Sequence, residues 1–499
     1  ASTAQKAAKL GVDDGKAFVE LRAGHFVRGT GTGESDTIEP YHDRVRESMN
    51  ASLSETEASE THLSIAEALE SSVQDAGAET VYALAHHWHQ AKPADKQDHV
   101  YQVNLRAGRL AYESFAYRQA HQYLEQAQEA SVAAGIKTDA PIDLLMAEVA
   151  AKGGYDKAAL ACYGKALAKS TDSFQRSACH AGIGAVLVSR LETGPAIAEF
   201  DQALVELGRK PVENAVGRWL VAMGAFLGGL IALRLKRPAL PSGRERDKLM
   251  LRAQIAYGLG TSYYYHLKPE FLLRSMLEMT SSATRLGRAR ELVEWWLLAS
   301  ISAAALRKKR LNRILRKRAR SLAVELADPV AMGREHLYRG IGTGMVGEPA
   351  DEILASALEE FGPLYDPLDY YSGSACLAWH RLVRGKARGA WQVLERTFKY
   401  DASVGQQDAG STHSYRYYAI PILAMLGDKE QALAHLERTQ SGVSARWQQA
   451  QHHSHTILFR VETRDVADEF DDSVRKYLAL GLNPKRLPLT MRHGFIGIS

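Results

Sequence analysis

The stretch Gly154 to Leu167, GYDKAALACYGKAL, constrains the fold more than any other. At helical spacing Ala159, Tyr163 and Ala166 fall at i, i+4 and i+7, with Leu167 beside them, so they share one stripe. Small residues at two of those positions let a neighbouring helix come close, and the ring between them fills the groove. The pattern returns 37 residues later as Ala196, Phe200, Ala203 and Leu204, with a weaker earlier copy in Ala120, Leu124 and Ala127. A self-similarity of this period marks stacked helix pairs. Each pair buries only one face alone, and stacking joins the faces into a continuous core with a concave surface left for binding.

This small-aromatic-small stripe resembles the second helix of a tetratricopeptide repeat. The expected fold class is therefore all-α: an α-solenoid of tetratricopeptide-like helix pairs. A chain of 499 residues is too long for one compact core, but a repeat array has no such ceiling. From Ala78 onward the patterns are helical only. The first half reads as Glu79–Ala91 with Lys96–Phe115, Tyr117–Ala134 with Pro141–Lys152, Tyr155–Lys169 with Ser173–Arg190, and Pro195–Leu207 with Val212–Leu235. Gly135, Gly153-Gly154, Gly194-Pro195 and Pro211 punctuate the gaps, and Arg237 to Gly243 marks a break between two solenoid halves. The second half resumes with 244–266, 269–286, 289–305 and 311–326. Late copies at Gly389–Thr397 and Gln431–Thr439 lie 42 residues apart.

Residues 1–75 read differently. Helical patterns at Thr3–Leu10 and Asp14–Ala23 lead to His25-Phe26-Val27-Arg28, a glycine turn at Gly29–Gly33, Thr37-Ile38-Glu39, and a helix from Tyr41 to Asn50. That order is the order of a winged-helix domain. Ser54 with Glu57 makes a capping box for a helix running to about Glu70. The expected domains are 1–75 winged-helix-like, 76–237 and 244–482 as the solenoid halves, and 483–499 as an extended tail.

The string YHDRVRES from Tyr41, the helix THLSIAEALE from Thr61 and LAHHWHQA from Leu84 resemble the end of the nucleotide-binding module in bacterial STAND-type signalling ATPases. Members include ATPases fused to Ser/Thr kinase or adenylate cyclase modules and, more distantly, the maltose-regulon activator. Leu207 to Pro211 and Ala256 to Tyr265 look like the repeat regions of those fusions. The resemblance covers most of the chain and is specific around residues 41–126. It implies that a winged helix joins a P-loop ATPase to a helical-repeat sensor, and that His42 contacts the phosphate of bound ADP in the intact protein. An imidazole can donate to a phosphate oxygen; the plainer reading is that His42 and Asp43 only begin the helix there. No G-x-x-x-x-G-K-[ST] occurs, so on this resemblance the ATPase lies upstream of Ala1. ATP or ADP would belong to the full-length protein, and no cofactor is expected in this chain.

Other candidates are weighed against packing. His86, His87, His89 and His99, and the trio His452, His453 and His455, lack a completed set of ligands on one helix face, and no metal is expected. Arg307 to Arg320 carries nine basic residues in fourteen positions, with Leu311, Leu315 and Ala319 read as its apolar stripe. Its basic face (Arg307, Lys308, Arg310, Arg313, Arg316, Lys317, Arg320) would suit phosphates, but the run has no interleaved aromatics for stacking on bases, and nucleic acid is not the expected partner. Tyr263, Tyr264, Trp295, Trp296, Tyr370, Tyr371 and Tyr417, in clusters that also include Tyr265, Tyr415 and Tyr418, are candidates for a ligand or partner surface. The net charge of +4 gives no global attraction to nucleic acid or membrane. Three scattered cysteines, Cys162, Cys179 and Cys376, fit reduced thiols in a cytoplasmic protein. The apolar run Trp219 to Leu235 is broken by glycines and reads as a buried repeat helix, so no membrane association is expected.

The function expected is that of a non-catalytic sensor or protein-interaction region of a bacterial signalling ATPase. It would bind a protein partner or small-molecule effector and relay it to an upstream nucleotide-binding module, with self-association left open. The alternatives are a self-contained helical enzyme with an unrecognised pocket and a nucleic-acid scaffold using helix 307–320.

Overall fold

The structure is a computed structural model of the chain, and it describes residues 15–30, 37–70, 77–209, 215–234, 241–266, 268–404, 414–440, 446–464 and 468–483. The expected helix at Thr3–Leu10, most of the glycine turn, residues 237–240 of the expected break and the tail from 484 lie outside the described residues. The chain divides into two compact units, residues 1–139 and 140–499.

The first unit opens with helix α1 (Gly15–Ala23), strands β1 (Val27–Thr30) and β2 (Thr37–Pro40), and helix α2 (Asp43–Ser52). The strands pair antiparallel with Val27 opposite Pro40. Arg28 and Glu39 face each other across the ladder and form an ion pair of 2.9 Å. Helix α3 (Glu55–Glu70) starts with the expected capping box: the Ser54 amide donates to Glu57 Oε2 at 2.9 Å, and the Glu57 amide donates to Ser54 Oγ at 3.3 Å. Helices α4 (Ala78–Ala91), α5 (Gln97–Glu113) and α6 (Tyr117–Ala133) complete the unit. Ala120, Leu124 and Ala127 of α6 are buried, as the stripe requires.

The second unit is helical throughout its described residues. It runs α7 (Ala140–Gly153), α8 (Asp156–Lys169), α9 (Ser173–Ser189), α10 (Thr193–Glu206), α11 (Ala215–Arg234), α12 (Gly243–Tyr265) and α13 (Pro269–Leu286). It continues with α14 (Arg290–Ala305), α15 (Lys309–Leu326), α16 (Pro329–Met345), α17 (Asp351–Phe361), α18 (Pro367–Leu382) and α19 (Ala387–Val404), then α20 (Ser414–Met425), α21 (Lys429–Gln440), α22 (Arg446–Glu462) and α23 (Asp468–Ala479). The fold is an all-α solenoid of helix pairs.

One turn recurs through the array. Phe115, Gly154, Leu191, Arg307, Gly347, Gly385 and Gly427 all have left-handed φ, between 57° and 85°. At each, the left-handed residue's amide bonds the carbonyl three residues back, and the next amide bonds the carbonyl five residues back, as Leu191 to Val188 and Glu192 to Leu187. This is the Schellman arrangement, which satisfies the carbonyls at the end of one helix and reverses the chain into the next. The same turn also ends α6 at Gly135 and α10 at Gly208. Where it leads directly into a helix packed back on the first, the hairpins are α5–α6, α7–α8, α9–α10, α14–α15, α16–α17, α18–α19 and α20–α21.

The pairing expected for the first half is therefore shifted by one helix. Gly153-Gly154 was expected between pairs, yet it closes the tight turn within one, because a left-handed glycine ends a helix without separating it from its partner. Helix α11 also departs from expectation. It packs on α13 outside the succession of pairs. Many of its large apolar side chains are not buried: Val216 is 71% and Leu220 68% exposed. No described helix is long and apolar enough to cross a membrane.

The stripe itself packs as its composition demands. Ala159, Tyr163 and Ala166 are buried, as are Ala196, Phe200 and Ala203. Tyr163 lies against Gly182 of α9, where a Cβ would come within 2.1 Å of the ring; Phe200 is pressed on Gly258 of α12, where the distance would be 2.3 Å. Burying each ring contributes roughly 2–3 kcal/mol.

A candidate ligand cavity inside the second unit

Helices α12, α14, α16, α18, α20 and α22 form the inner layer, each touching the next along the row. The last hairpin does not end as a free edge. Trp447 of α22 packs edge-on against Tyr265 of α12, with ring centroids 5.3 Å apart, and shares a buried cluster with Leu191 and Tyr477. The concave surface expected from the sequence is thereby turned into a partly enclosed cavity of about 550 Å³. That is the size range of small-molecule sites.

The cavity follows α18. Ser372, Ala375, Cys376, Trp379 and His380 line it, followed by Val383 and Arg384 beyond the helix end. From Ser372 to Arg384 is about 18 Å at the helical rise. Opposite, α16 contributes Tyr338, Ile341, Gly344 and Met345, and Gly344 leaves the space into which the His380 ring fits. Any side chain there would meet the ring, since a Cβ would lie 1.8 Å from His380 Nε2.

One end opens between the hairpin turns. Arg307, Gly347, Val383 and Arg384 are exposed there. Glu348 takes ion pairs from Arg313 at 3.1 Å and Arg316 at 3.7 Å, and Asp351 takes them from Arg384 at 3.6 Å and Lys386 at 3.7 Å. Arg307 makes no side-chain ion pair among the described residues. The other end is closed by buried side chains, Trp447 and Gln451 among them.

Most hydroxyls on the wall are already used. Tyr257 donates to the Tyr338 hydroxyl at 2.6 Å, and Tyr338 donates to Asp369 Oδ1 at 2.9 Å. Thr261 donates to the Tyr257 carbonyl at 3.1 Å, and Tyr265 and Ser372 share a bond of 3.0 Å. Behind the tyrosines half-buried Arg334 lies between Glu294, Asp366 at 3.4 Å and Asp369 at 3.3 Å. Burial and the nearby Asp366 push the Asp369 carboxyl up to about 6, against the pull of Arg334. Burial keeps the Tyr257 and Tyr338 phenols neutral. The wall thus shows a ligand rings and methylenes.

Of the candidate aromatic clusters, the structure places Tyr264, with Tyr265 and Tyr418, on the cavity. Tyr263, Trp295, Tyr371 and Tyr417 are buried in the packing and do not form a surface. Tyr263 accepts from Arg274 at 3.0 Å, Trp295 Nε1 donates to Thr280 Oγ1 at 2.9 Å, and Tyr371 donates to Asp401 at 2.7 Å. Tyr417 packs beside the His455 ring, with centroids 6.3 Å apart. Half-buried Tyr370 stacks on Tyr400 at 4.1 Å, and Trp296 lies 5.0 Å beneath the Arg318 guanidinium. Adjacent aromatics split between faces of one helix, and here most of those faces are covered by the next pair.

The basic run divides too. Lys308, Arg310, Arg313, Lys317 and Arg320 are exposed, Arg316 is half-buried against Thr343 and the Arg339 carbonyl, and Arg307 stands at the cavity mouth. The expected apolar stripe is rotated: Leu311 is 48% exposed, and the buried face is Asn312, Ala319 and Ala323. Asn312 turns inward because its amide donates to the Ser300 carbonyl at 2.9 Å.

In the first unit His42 is exposed, and its carbonyl accepts from Val45 at the start of α2, while Asp43 pairs with Arg46 at 3.1 Å. His62 and His87 meet through their Nδ1 atoms at 2.8 Å, with the His86 ring alongside, and His99 reaches Glu70 at 2.8 Å. Burial pulls His87 down to about 4. Among the described residues no group of three or more His, Cys, Asp or Glu side chains could hold a metal ion.

No family model matches the chain, and no curated protein is similar to it in sequence. Among solved structures, that of a Rap protein complexed with competence and sporulation factor is similar over 78% of this chain and 97% of that one, at 13% identity and a TM-score of 0.47.

The residues that sequence reading missed are Tyr257, Tyr338, Trp379, His380, Arg384, Trp447 and Gln451. A signal was present in α18, where Ser372, Cys376, Trp379 and Val383 make a stripe at i, i+4, i+7 and i+11 beside the core stripe of Tyr371, Ala375, Ala378 and Leu382. A repeat helix that is apolar on two faces needs a second thing to face.

Proposed function

We propose that the chain is a non-catalytic sensor and interaction region, whose second unit takes a ligand in the cavity enclosed by its inner helices. One observation carries this reading. Six inner helices, from Tyr257 to Gln451, converge on a single apolar space with cations at its mouth. A ligand lying across them is sensitive to the stacking of every pair, so its binding favours one arrangement of the array.

The chemistry of the lining argues for binding over turnover. Cys376 and His380 sit one helical turn apart, the spacing a nucleophile and base would need, yet burial pushes the thiol up to about 12. A catalytic cysteine requires the opposite shift.

The relay to an upstream nucleotide-binding module belongs to this reading through the resemblance at residues 41–126. Helix α1, the β1–β2 hairpin and α2 would be its winged helix, and exposed His42 the contact to ADP phosphate in the intact protein. On the same reading the solenoid halves serve as sensor, with half-buried Tyr370 and Trp296 and the exposed side of α15 open to a protein partner.

Binding is tested with 1-anilinonaphthalene-8-sulfonate, an aromatic anion. Saturable binding at one site, quenching of the cavity tryptophans Trp379 and Trp447, and loss of both in Ala375→Trp are expected. An unsaturable response, or one that Ala375→Trp leaves intact, would overturn the cavity as the site. The relay is tested by the gene upstream of Ala1, where a P-loop is expected and its absence would remove the ATPase.

A further inference from the structure

We infer that the cavity ligand is an elongated amphipathic organic anion, its acid group held at Arg307 and Arg384 and its far end carrying one hydroxyl or amide that meets Trp447 and Gln451. This rests on the cavity reading above and adds to it a ligand class and an orientation.

The charge assignment comes from the mouth. Arg313 and Arg316 pair with Glu348, and Arg384 and Lys386 with Asp351, so cations outnumber their paired carboxylates around the opening. Among the described residues Arg307 has no carboxylate of its own, and it lines the cavity directly. It also begins the basic run, so the run's first residue is a gatepost of the cavity. A carboxylate there gains charge-assisted bonds in a partly desolvated place.

The body of the ligand follows from the wall. Rings of Tyr257, Tyr264, Trp379 and Tyr418 with Leu298 and Ile301 offer apolar contact, while the hydroxyls of Tyr257, Thr261, Tyr265, Tyr338 and Ser372 are already bonded within the protein. A peptide threaded here would bring an amide at every residue to a wall with few partners left, and each unpaired amide costs binding energy. A hydrocarbon or aromatic body has no such need.

The far end supplies the polarity of the site. Trp447 Nε1 and Gln451 Oε1 are buried and have no hydrogen-bond partner among the described residues, and both residues line the cavity one turn apart on α22. Nε1–H can only donate and Oε1 can only accept, so a group that does both, a hydroxyl or an amide, satisfies the pair. A buried donor and acceptor side by side with no partner cost free energy that a bound hydroxyl or amide would recover.

The test uses the purified chain and tryptophan fluorescence with dodecanoate, dodecanol, dodecylammonium and 12-hydroxydodecanoate, each below its micelle concentration. Dodecanoate is expected to bind about tenfold more tightly than dodecanol, as one charge-assisted contact gives, and more tightly still than dodecylammonium. Arg307→Met with Arg384→Met removes that preference. Trp447→Phe with Gln451→Leu weakens 12-hydroxydodecanoate and leaves dodecanoate unchanged. Equal binding of all three head groups, blocked by Ala375→Trp, would overturn the anion assignment and keep the cavity. Binding indifferent to Ala375→Trp, or none, would overturn both. A hydroxyl effect that ignores Trp447 and Gln451 would overturn the orientation.

Discussion

The hydroxyl of Tyr257 donates to that of Tyr338 at 2.6 Å, and through it the cavity wall is tied to the Arg334–Asp369 ion pair. The two tyrosines are not equivalent. Tyr257→Phe removes a donor and leaves Tyr338 bonded to Asp369, at a cost of about 1 kcal/mol. Tyr338→Phe strands the Tyr257 hydroxyl and takes a donor from Asp369, and a loss of roughly 2–3 kcal/mol is expected. Urea unfolding of both variants checks the order; equal losses would mean the chain of bonds does not act as drawn.

Glycines in the array are of two kinds, and alanine separates them. At Gly182 a Cβ would sit 2.1 Å from the Tyr163 ring, so Gly182→Ala must displace the aromatic that fills the hairpin groove. Overpacking of this sort costs roughly 1–3 kcal/mol, more than the helix propensity gained. Gly164 lies in α8 with nothing within 4 Å of the added carbon. Gly164→Ala is expected to stabilise by up to about 1 kcal/mol. Thermal unfolding of the pair should move in opposite directions.

The array was legible in the sequence because its stripes obey one rule at several places: Ala159, Tyr163 and Ala166 can only be an inner seam. The capping box at Ser54 and Glu57 was legible for the same local reason. Hairpin boundaries were not, since a left-handed turn can be made by Gly154 or, against its preference, by Leu191 or Arg307, and only the former shows in composition. The cavity was hidden for a different reason. It depends on the return of Trp447 to Tyr265, a contact between distant helices fixed by the cumulative rotation of pairs, and no local pattern encodes that rotation. Tyr264 and Arg307 were singled out for their neighbours in sequence, yet they meet on the cavity through the curvature of the stack.

Arg307 occupies a turn position that glycine fills at Gly347, Gly385 and Gly427. With φ of 57° it carries the strain an L side chain meets in the left-handed region, about 1–2 kcal/mol. Part of that returns to the unfolded chain when glycine is introduced, so Arg307→Gly should stabilise the protein by roughly 0.5–1 kcal/mol. The same variant should weaken the preference for dodecanoate over dodecanol, with Arg384 left to hold the acid group. A gain in stability with weakened ligand selectivity would identify a residue kept for its charge; a loss of stability would refute the turn argument.

The histidines of the last hairpins set a pH dependence whose sign can be worked out. Burial pulls His455 down to about 3 and His435 and His452 to about 4. His455 is neutral, with Nδ1–H donating to the Gln451 carbonyl at 2.7 Å. An unfolded histidine takes its proton near 6.5, so below that pH the unfolded chain binds protons that the native state refuses. Stability from these groups is complete above about 6.5 and falls as the pH drops towards 4, by about 1.4 kcal/mol per unit for each histidine. Asp156 and Asp369, raised by burial to about 7 and about 6, act in the opposite sense over part of this range. The test is therefore differential: urea unfolding of wild type and His455→Gln from pH 6.5 to 4.5. The packing lost with the imidazole shifts the whole curve, whereas removal of its titration lowers the slope by about 1.4 kcal/mol per unit. Parallel curves would show that His455 takes up its proton without leaving the native packing.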